Sequence, residues 1–504
     1  AASDVYKRQM SIFMTWDKKP FFAGTYFPPK SHYGMPGFPD LLDVIVSQWN
    51  NNRRKLLQSA EQIITHLKSA ESGDKNIDDE ELIKRAMQIF SESFDEINGG
   101  FSSAPKFPTP HNLLFLMLYA KHKQDSDALK MAEKTLLQMR KGGIFDHIGY
   151  GFSRYSTDKY FLAPHFEKML YDNALLIIAY SAAYYLTNNE IYLDTAEKTT
   201  EYILREMTSA DGGFYSAQDA DSEGVEGKYY TFTLDEIINV LGEEKGKRFA
   251  ESFDITSNGN FEGVNILNLL KSNDLESDFS EEIHKLYDYR KKRTNLHLDN
   301  KILLSWNSLM IAALSMFYRV SRNEKYLNAV VNAQKFIEEN MCDGVQLFTS
   351  WRDGKHSEKS FLDDYAFYIA SLIELYNSTL DKIYLEKAER FCDEAVRQFE
   401  DCQRDGFYLC EASYTEIFMN PKETYDGAIP SGNSVMAYNF VRMFQLTENE
   451  KYRKLTEKQF EFLSVQAQDY PAGNSVFLLS KLLYENPPEH ILSLIHISEP
   501  TRPY

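Results

Sequence analysis

Ile191-Tyr-Leu-Asp-Thr-Ala-Glu-Lys198 returns, altered but recognisable, as Lys325-Tyr-Leu-Asn-Ala-Val-Val-Asn332, Ile383-Tyr-Leu-Glu-Lys-Ala-Glu-Arg390 and Lys451-Tyr-Arg-Lys-Leu-Thr-Glu-Lys458. Asp127-Ala-Leu-Lys-Met-Ala-Glu-Lys134 is a weaker fifth copy. With Ala128, Tyr192, Tyr326, Tyr384 and Tyr452 as markers, the steps are 64, 134, 58 and 68 residues. One step is about twice the others, so a diverged unit is expected between Thr208 and Asn300, which makes six units. Every copy sets apolar residues at helical spacing with charges between them, the pattern of a helix that covers a core.

Each of these helices follows one of a different kind. Ala174 to Leu186, Leu309 to Tyr318, Tyr365 to Tyr376 and Val435 to Phe444 are apolar on nearly every face, and a helix apolar all round is a buried one. Buried and amphipathic helices therefore alternate, with a period of roughly 65 residues, longer than that of open helical solenoids. The expected fold class is all-α, an (α/α)6 toroid of six helical hairpins with the apolar helices inside. Gly142-Gly143, Asp211-Gly-Gly213, Asp343-Gly344 and Asp405-Gly406 supply turn residues where the chain reverses.

Every buried helix opens on polar residues. His111-Asn112, His165 to Asn173, Ser305-Trp-Asn307, Asp363-Asp-Tyr365 and Ser431-Gly-Asn-Ser434 each lead into an apolar run. In a closed ring those ends surround one mouth, where unpaired polar groups would cost roughly 1–3 kcal/mol each unless water, one another or a ligand met them. Helix capping accounts for one Ser, Asp or Asn per helix. It accounts less well for His165, Lys168 and Asp172, which fall at i, i+3 and i+7. The expectation is a mouth that is part cap and part pocket.

The composition, 43% hydrophobic and 26% charged, is that of a globular protein, and its net charge of −19 argues against nucleic-acid or anionic-membrane partners. The longest apolar stretch, Ala174 to Leu186, is too short to span a bilayer. Cys342, Cys392, Cys402 and Cys410 form no C-x-x-C pair and no zinc spacing, and read as reduced thiols of a cytoplasmic protein. No metal site is expected. With no phosphate-binding glycine loop and no G-x-S-x-G, the residues point to no cofactor. Residues 1–9 and 492–504 resemble translated sequencing adapter and are set apart. Residues 10–72 form one expected domain and 79–485 the six-hairpin domain.

Histidine titrates near neutral pH, which makes His147 and His165 the acid–base candidates. Asp219 and Asp221, on the loop Asp219-Ala-Asp-Ser-Glu-Gly224, and Asp364 are carboxylate candidates. The plainer alternatives are a structural histidine and a solvated loop. A calcium loop is rejected, because the twelfth position from Asp219 is Tyr230. Arg154, Glu167, Asp172, Asn307 and Asn433 are candidate substrate-binding residues, with Trp306 and Tyr365 as stacking partners for a sugar face.

Phe21-Phe-Ala-Gly-Thr-Tyr-Phe-Pro28, Ala104-Pro-Lys-Phe-Pro108, Pro164-His-Phe-Glu-Lys-Met-Leu-Tyr-Asp172, Asp219-Ala-Asp-Ser-Glu-Gly224, Leu362-Asp-Asp-Tyr-Ala366 and Asp426-Gly-Ala-Ile-Pro-Ser-Gly-Asn-Ser434 together resemble the spermatogenesis-associated protein 20 family. That resemblance covers about Met10 to Leu483. It implies a thioredoxin-like domain joined to a six-hairpin domain similar to N-acylglucosamine 2-epimerases and six-hairpin glycosidases. Ser153 stands where the family usually has histidine, which weakens a proton-transfer role there. Ser11 to Gly24 reads as two strands around an Asp-Lys-Lys turn, followed by a helix from Pro39 to Leu67. By the resemblance, these are the last hairpin and helix of the thioredoxin-like domain, whose redox cysteines would lie upstream. The implied ligand is a small molecule, a carbohydrate. The implied function is sugar epimerase, isomerase or glycosidase chemistry. The alternative is a non-catalytic binding or redox-adaptor protein.

Overall fold

The computed structural model describes residues 11–24, 27–32, 34–69, 78–272, 275, 277–357, 359–414 and 419–487. The segments expected to be adapter-derived, 1–9 and 492–504, lie outside the described residues. At the amino-terminal side, β1 (Ser11–Met14) and β2 (Pro20–Gly24) pair antiparallel around the expected turn. The single helix expected after them is two, α1 (Phe38–Asn51) and α2 (Arg53–Ser69), because the chain leaves helical geometry at Asn52.

The inner helices are α4 (Pro110–Lys123), α6 (Leu170–Thr187), α11 (Leu304–Ser321), α13 (Leu362–Thr379), α15 (Gly432–Thr447) and α17 (Ser475–Glu485). Each packs on the next, and α17 packs on α4, so the ring closes. Five outer helices follow their inner partners directly: α5 (Ser126–Lys141), α7 (Glu190–Glu206), α12 (Glu324–Asn340), α14 (Lys382–Phe399) and α16 (Glu450–Gln466). The hairpin turn is the same short device each time. Gln124, Asn188, Arg322, Leu380 and Glu448 end the inner helices in the left-handed region, at φ between 53° and 59°. The very next residue, Asp125, Asn189, Asn323, Asp381 or Asn449, caps the outer helix by accepting from the backbone N–H two residues on.

The sixth hairpin is not where the spacing places it. The described residues between 208 and 300 instead form α8 (Leu234–Leu241), α9 (Glu243–Ser252) and α10 (Ser280–Arg293) around their own core of Phe232, Ile237, Phe249, Phe253 and Leu286. The outer place beside α17 is taken by α3 (Asp79–Ser93), from the other end of the chain. Its Asp79 accepts from Ser464 Oγ at 2.8 Å and pairs with Lys481. Six units is the right number, but one of them is assembled from both ends.

A buried asparagine holds each of three connections between an outer helix and the next inner one. Asn173 Oδ1 accepts from Phe152 N–H at 2.7 Å, and its Nδ2 donates to the carbonyls of Phe152 and Met169. Asn307 does the same for Phe214 and Leu303, and Asn433 for Phe407 and Glu423. Tyr365 takes this place in α13, its hydroxyl accepting from Leu347 N–H and donating to the Val345 carbonyl. The turns need glycine: Gly406 has φ +74°, and a Cβ there would lie 2.5 Å from the Phe462 ring.

The inserted segment is tied to the ring by a buried ion cluster. Asp146 takes a bidentate pair from Arg290 of α10 (2.9 and 2.7 Å) and a third bond from Lys168 (2.8 Å). Against its burial, these two cations hold the Asp146 carboxyl far below the usual range; the burial of Lys168 itself, with the Arg290 charge beside it, lowers that amine to about 8.

Two stability outcomes follow from these contacts. Asn307→Ala strands a buried N–H and two carbonyls, so a loss of about 3 kcal/mol or more is expected in chemical denaturation. Arg290→Ala leaves Asp146 with one cation instead of two, and a loss of about 3–5 kcal/mol is expected, with hydrogen exchange rising first in α8 to α10.

Candidate functional site

Three carboxyl groups stitch the starts of consecutive inner helices together. Asp364 accepts from the Phe361 N–H at 2.9 Å and from Ser305, which joins α13 to α11. Asp363 accepts from the backbone of Gly432, which joins α13 to α15. Asp426 accepts from Ser431 N–H at 3.0 Å and from Val476 N–H at 2.8 Å, which joins α15 to α17. His111, in the first turn of α4, lies against the Asp426 backbone. Helix starts linked in this way share one rim, so the polar ends do gather at a single mouth.

The electrostatics there are unusual for helix N-termini, which ordinarily favour negative charge. Burial, with help from Asp364 and Glu423, pushes Asp363 up to about 7. Burial likewise raises Asp364 and Asp426 to about 6, against the hydrogen bonds that favour their charged forms. His111 is 1% exposed, with the Asp426 backbone as its polar neighbour. Burial lowers it to about 4. Asp363 is the least buried of the three carboxyl groups.

A second cluster flanks α6 on the same rim. Short strands carry it: β3 (Tyr155–Ser156) pairs with β4 (Pro164–His165), and β5 (Lys168–Met169) with β6 (Ala217–Gln218). His165 Nδ1 lies 2.6 Å from Glu226 Oε1, and its Nε2 lies 3.9 Å from Glu167. Arg154 Nη1 lies 3.6 Å from Glu167 Oε2; burial works against its charge, and a hydrogen bond to Tyr171 with the carboxylates of Glu167 and Asp172 supports the guanidinium. Trp306 meets Tyr171 edge to face at 4.8 Å. Asp221, on β7 (Asp221–Ser222), stands opposite Glu226 on β8 (Val225–Glu226), so the inserted segment supplies one wall. Asp219 precedes this hairpin, its carboxylate accepting from the Asp221 N–H at 3.0 Å.

The expected site residues therefore divide. His165, Arg154, Glu167, Asp172 and Trp306 come together beside α6. Asp364 belongs to the carboxyl collar, and Asp219 and Asp221 lie on the inserted hairpin. His147 is elsewhere: its Nε2 meets the Gly142 carbonyl at 3.0 Å and its Nδ1 meets Arg140, on the outer side of the ring against Phe253. Burial and Arg140 lower it to about 3, so it is a neutral structural imidazole. Asn307 and Asn433 are corrected from ligand-binding to structural residues, since their amides are spent on backbone. Tyr365 is fully buried and bonded at its hydroxyl, with no face left to stack. The helical stripe through His165, Lys168 and Asp172 does not exist, because α6 begins at Leu170.

Asp363, Asp426 and His111 were not among the expected site residues. The signal for the first was its pairing with Asp364: one carboxylate suffices for a cap, and two in succession exceed that need. An aromatic also stands near the start of five inner helices, Phe107 before α4, Trp306 in α11, Phe361 before α13, Tyr425 before α15 and Tyr470 before α17, and Tyr155 on β3 lies in the segment that leads to α6. None is fully buried. Phe107 stacks on Tyr155 at 4.8 Å. Among the described residues, no group of His, Cys, Asp and Glu could hold a metal ion, and no helix is long and apolar enough to cross a membrane.

Comparison with known proteins places this architecture. The chain is similar in structure to the cellobiose 2-epimerase of Bacillus thermoamylovorans (TM-score 0.52, 12% identity, 80% of this chain and 98% of that one). It is similar likewise to a D-mannose isomerase (0.53, 13%, 81% and 96%) and to a GH76 α-mannanase of Bacteroides thetaiotaomicron (0.51, 13%, 83% and 98%). At such identities the likeness establishes the six-hairpin fold. Residues 7–68 match the family model described as "Thioredox_DsbH: Protein of unknown function, DUF255". Spermatogenesis-associated protein 20 of Homo sapiens is 34% identical over 500 residues, 88% of this chain, and the chain spans 64% of that relative's length. An uncharacterised protein of Caenorhabditis elegans is 33% identical over 92% of this chain, which covers 70% of that protein. On sequence and fold together, the chain belongs to the spermatogenesis-associated protein 20 family.

Proposed function

We propose that the mouth binds a carbohydrate and moves protons on it, in the manner of a sugar epimerase, isomerase or glycosidase. One observation carries the reading: Asp363 is the partly exposed acid of the collar, and its carboxyl is held near neutrality by burial and by the charges of Asp364 and Glu423. A group that titrates close to the working pH is the most effective general acid or base. Asp364 and Asp426 hold the collar in shape around it. Across the rim, Glu226 and Glu167 flank His165, which gives a second proton-handling group. Trp306 offers a partly open indole to an apolar sugar face, and Arg154 offers donors to hydroxyl oxygens. The structural neighbours named as sugar epimerase, isomerase and mannanase support this class of ligand.

A thermal-shift screen with mono- and disaccharides, followed by NMR of the stabilising sugar in D2O, tests the reading. A sugar that raises Tm and undergoes exchange, epimerisation or hydrolysis is expected. Asp363→Asn should retain binding and lose about 100-fold or more in turnover, while Trp306→Ala should mainly raise KM. If no sugar shifts the melt, the proposal fails and an adaptor role takes its place.

The raised carboxyls also set a pH signature. The fold holds these protons more tightly than the unfolded chain does, so their stabilising contribution is complete below about pH 4. It is lost as pH rises through about 6 for Asp364 and Asp426 and about 7 for Asp363. Asp363→Asn, which keeps a neutral group there, should therefore stabilise the protein by about 1–3 kcal/mol at pH 8 and change little at pH 4. Melting curves across that range decide it.

A further inference from the structure

The ring has a second opening, at the far ends of the same inner helices. A cavity of about 490 Å³ lies there, with residues from α6, α11, α13, α15 and α17 in its walls. On α13, Glu374 lies eleven residues beyond Asp363, which puts the two openings about 16 Å apart along that helix. Tyr184, Met316, Val320 and Leu483 make its surface largely apolar. The charges are lopsided. Among the described lining residues, Arg319, Arg322 and Arg442 face a single acid, Glu374. Arg319 is engaged by Glu374 and by Ser378 Oγ at 3.0 Å. Arg442 bonds Gln445 Oε1 at 2.6 Å. This net positive hollow sits in a protein of net charge −19.

Cations beside helix C-termini complement the helix dipoles, and that is reason enough for an arginine in a last turn. It does not explain an apolar cavity of ligand size, nor Asn377. That side chain is 5% exposed and lines the cavity, its Oδ1 without a hydrogen-bond partner. A buried acceptor left in this state costs free energy that a ligand donor would recover. We propose that the far opening is a separate binding site for an amphipathic organic anion: an acidic head for the arginines, an apolar body, and an N–H or O–H donor for Asn377.

The probe is 8-anilinonaphthalene-1-sulfonate, which combines a sulfonate, two aromatic systems and an N–H, titrated into the full chain by fluorescence. Saturable binding at one site is expected, with displacement by dodecanoate but not by dodecanol. Arg442→Gln should weaken binding about tenfold or more, and Ala182→Trp, which fills the cavity from α6, should abolish it. Both should leave any sugar response of the front mouth in place, so failure here is separable from failure of the sugar reading. Binding unchanged in Arg442→Gln overturns the proposal, even if Ala182→Trp does not fold. Equal displacement by the alcohol and the acid overturns it too.

Discussion

The saturation of one buried amide by a passing backbone is the contact on which this architecture turns. A six-hairpin ring must bring the chain back from each outer helix to the next inner one, and that return path runs through the interior. Buried backbone that is not in a helix or ladder must find partners elsewhere. Asn173, Asn307 and Asn433 provide them, each with one acceptor and two donors spent on main chain. Tyr365 reaches the same result with a hydroxyl. The clamp also sets the position of the first turn of each inner helix, and with it the side chains that look into the mouth. Shape and site are therefore fixed by the same few hydrogen bonds.

The carboxyl collar works against that economy. Three acids that burial raises to about 6 or 7 are poor stabilisers near neutral pH, where their charged forms sit desolvated, and neutral amides could have stitched the same helices. A site that stores unfavourable electrostatics where a reactant would sit is the common compromise between stability and activity. The inserted segment contributes to this region without joining the ring. Its Arg290 locks Asp146 and, through Lys168, the strand that leads to Glu167 and His165, while its hairpin presents Glu226 to that histidine.

Periodicity made the ring legible. All-apolar inner helices, charged outer ones and a polar start to each inner helix are local patterns, and the helices fall where those patterns lie. What escaped depends on distance in space. The 134-residue step concealed an insertion rather than a hairpin, because spacing alone cannot tell a decayed repeat from a replaced one. Asn307 looks like a ligand residue until its partner is found at Phe214, 93 positions away. His147 resembled His165 in the chain, but the two are separated by which side of the ring they occupy. His165 and Lys168 read as helical because strands of two residues leave no alternation to detect. Asp426 stayed hidden because its link to Val476 spans 50 residues.

Pairing α3 with α17 makes the toroid a clasp fastened by its two extremities. Asp79 and Lys481 are 402 residues apart, yet loop closure grows only logarithmically costlier with such separation. The larger effect is on timing. During synthesis the early hairpins can pack while the circle is still a crescent with one apolar flank bare. Only when the final inner helix leaves the ribosome can both flanks be covered at once. The ring thus makes its own completion a late event: α3 can pack on α4 at once, Phe90 against Phe115, but its link to α17 waits for most of the chain.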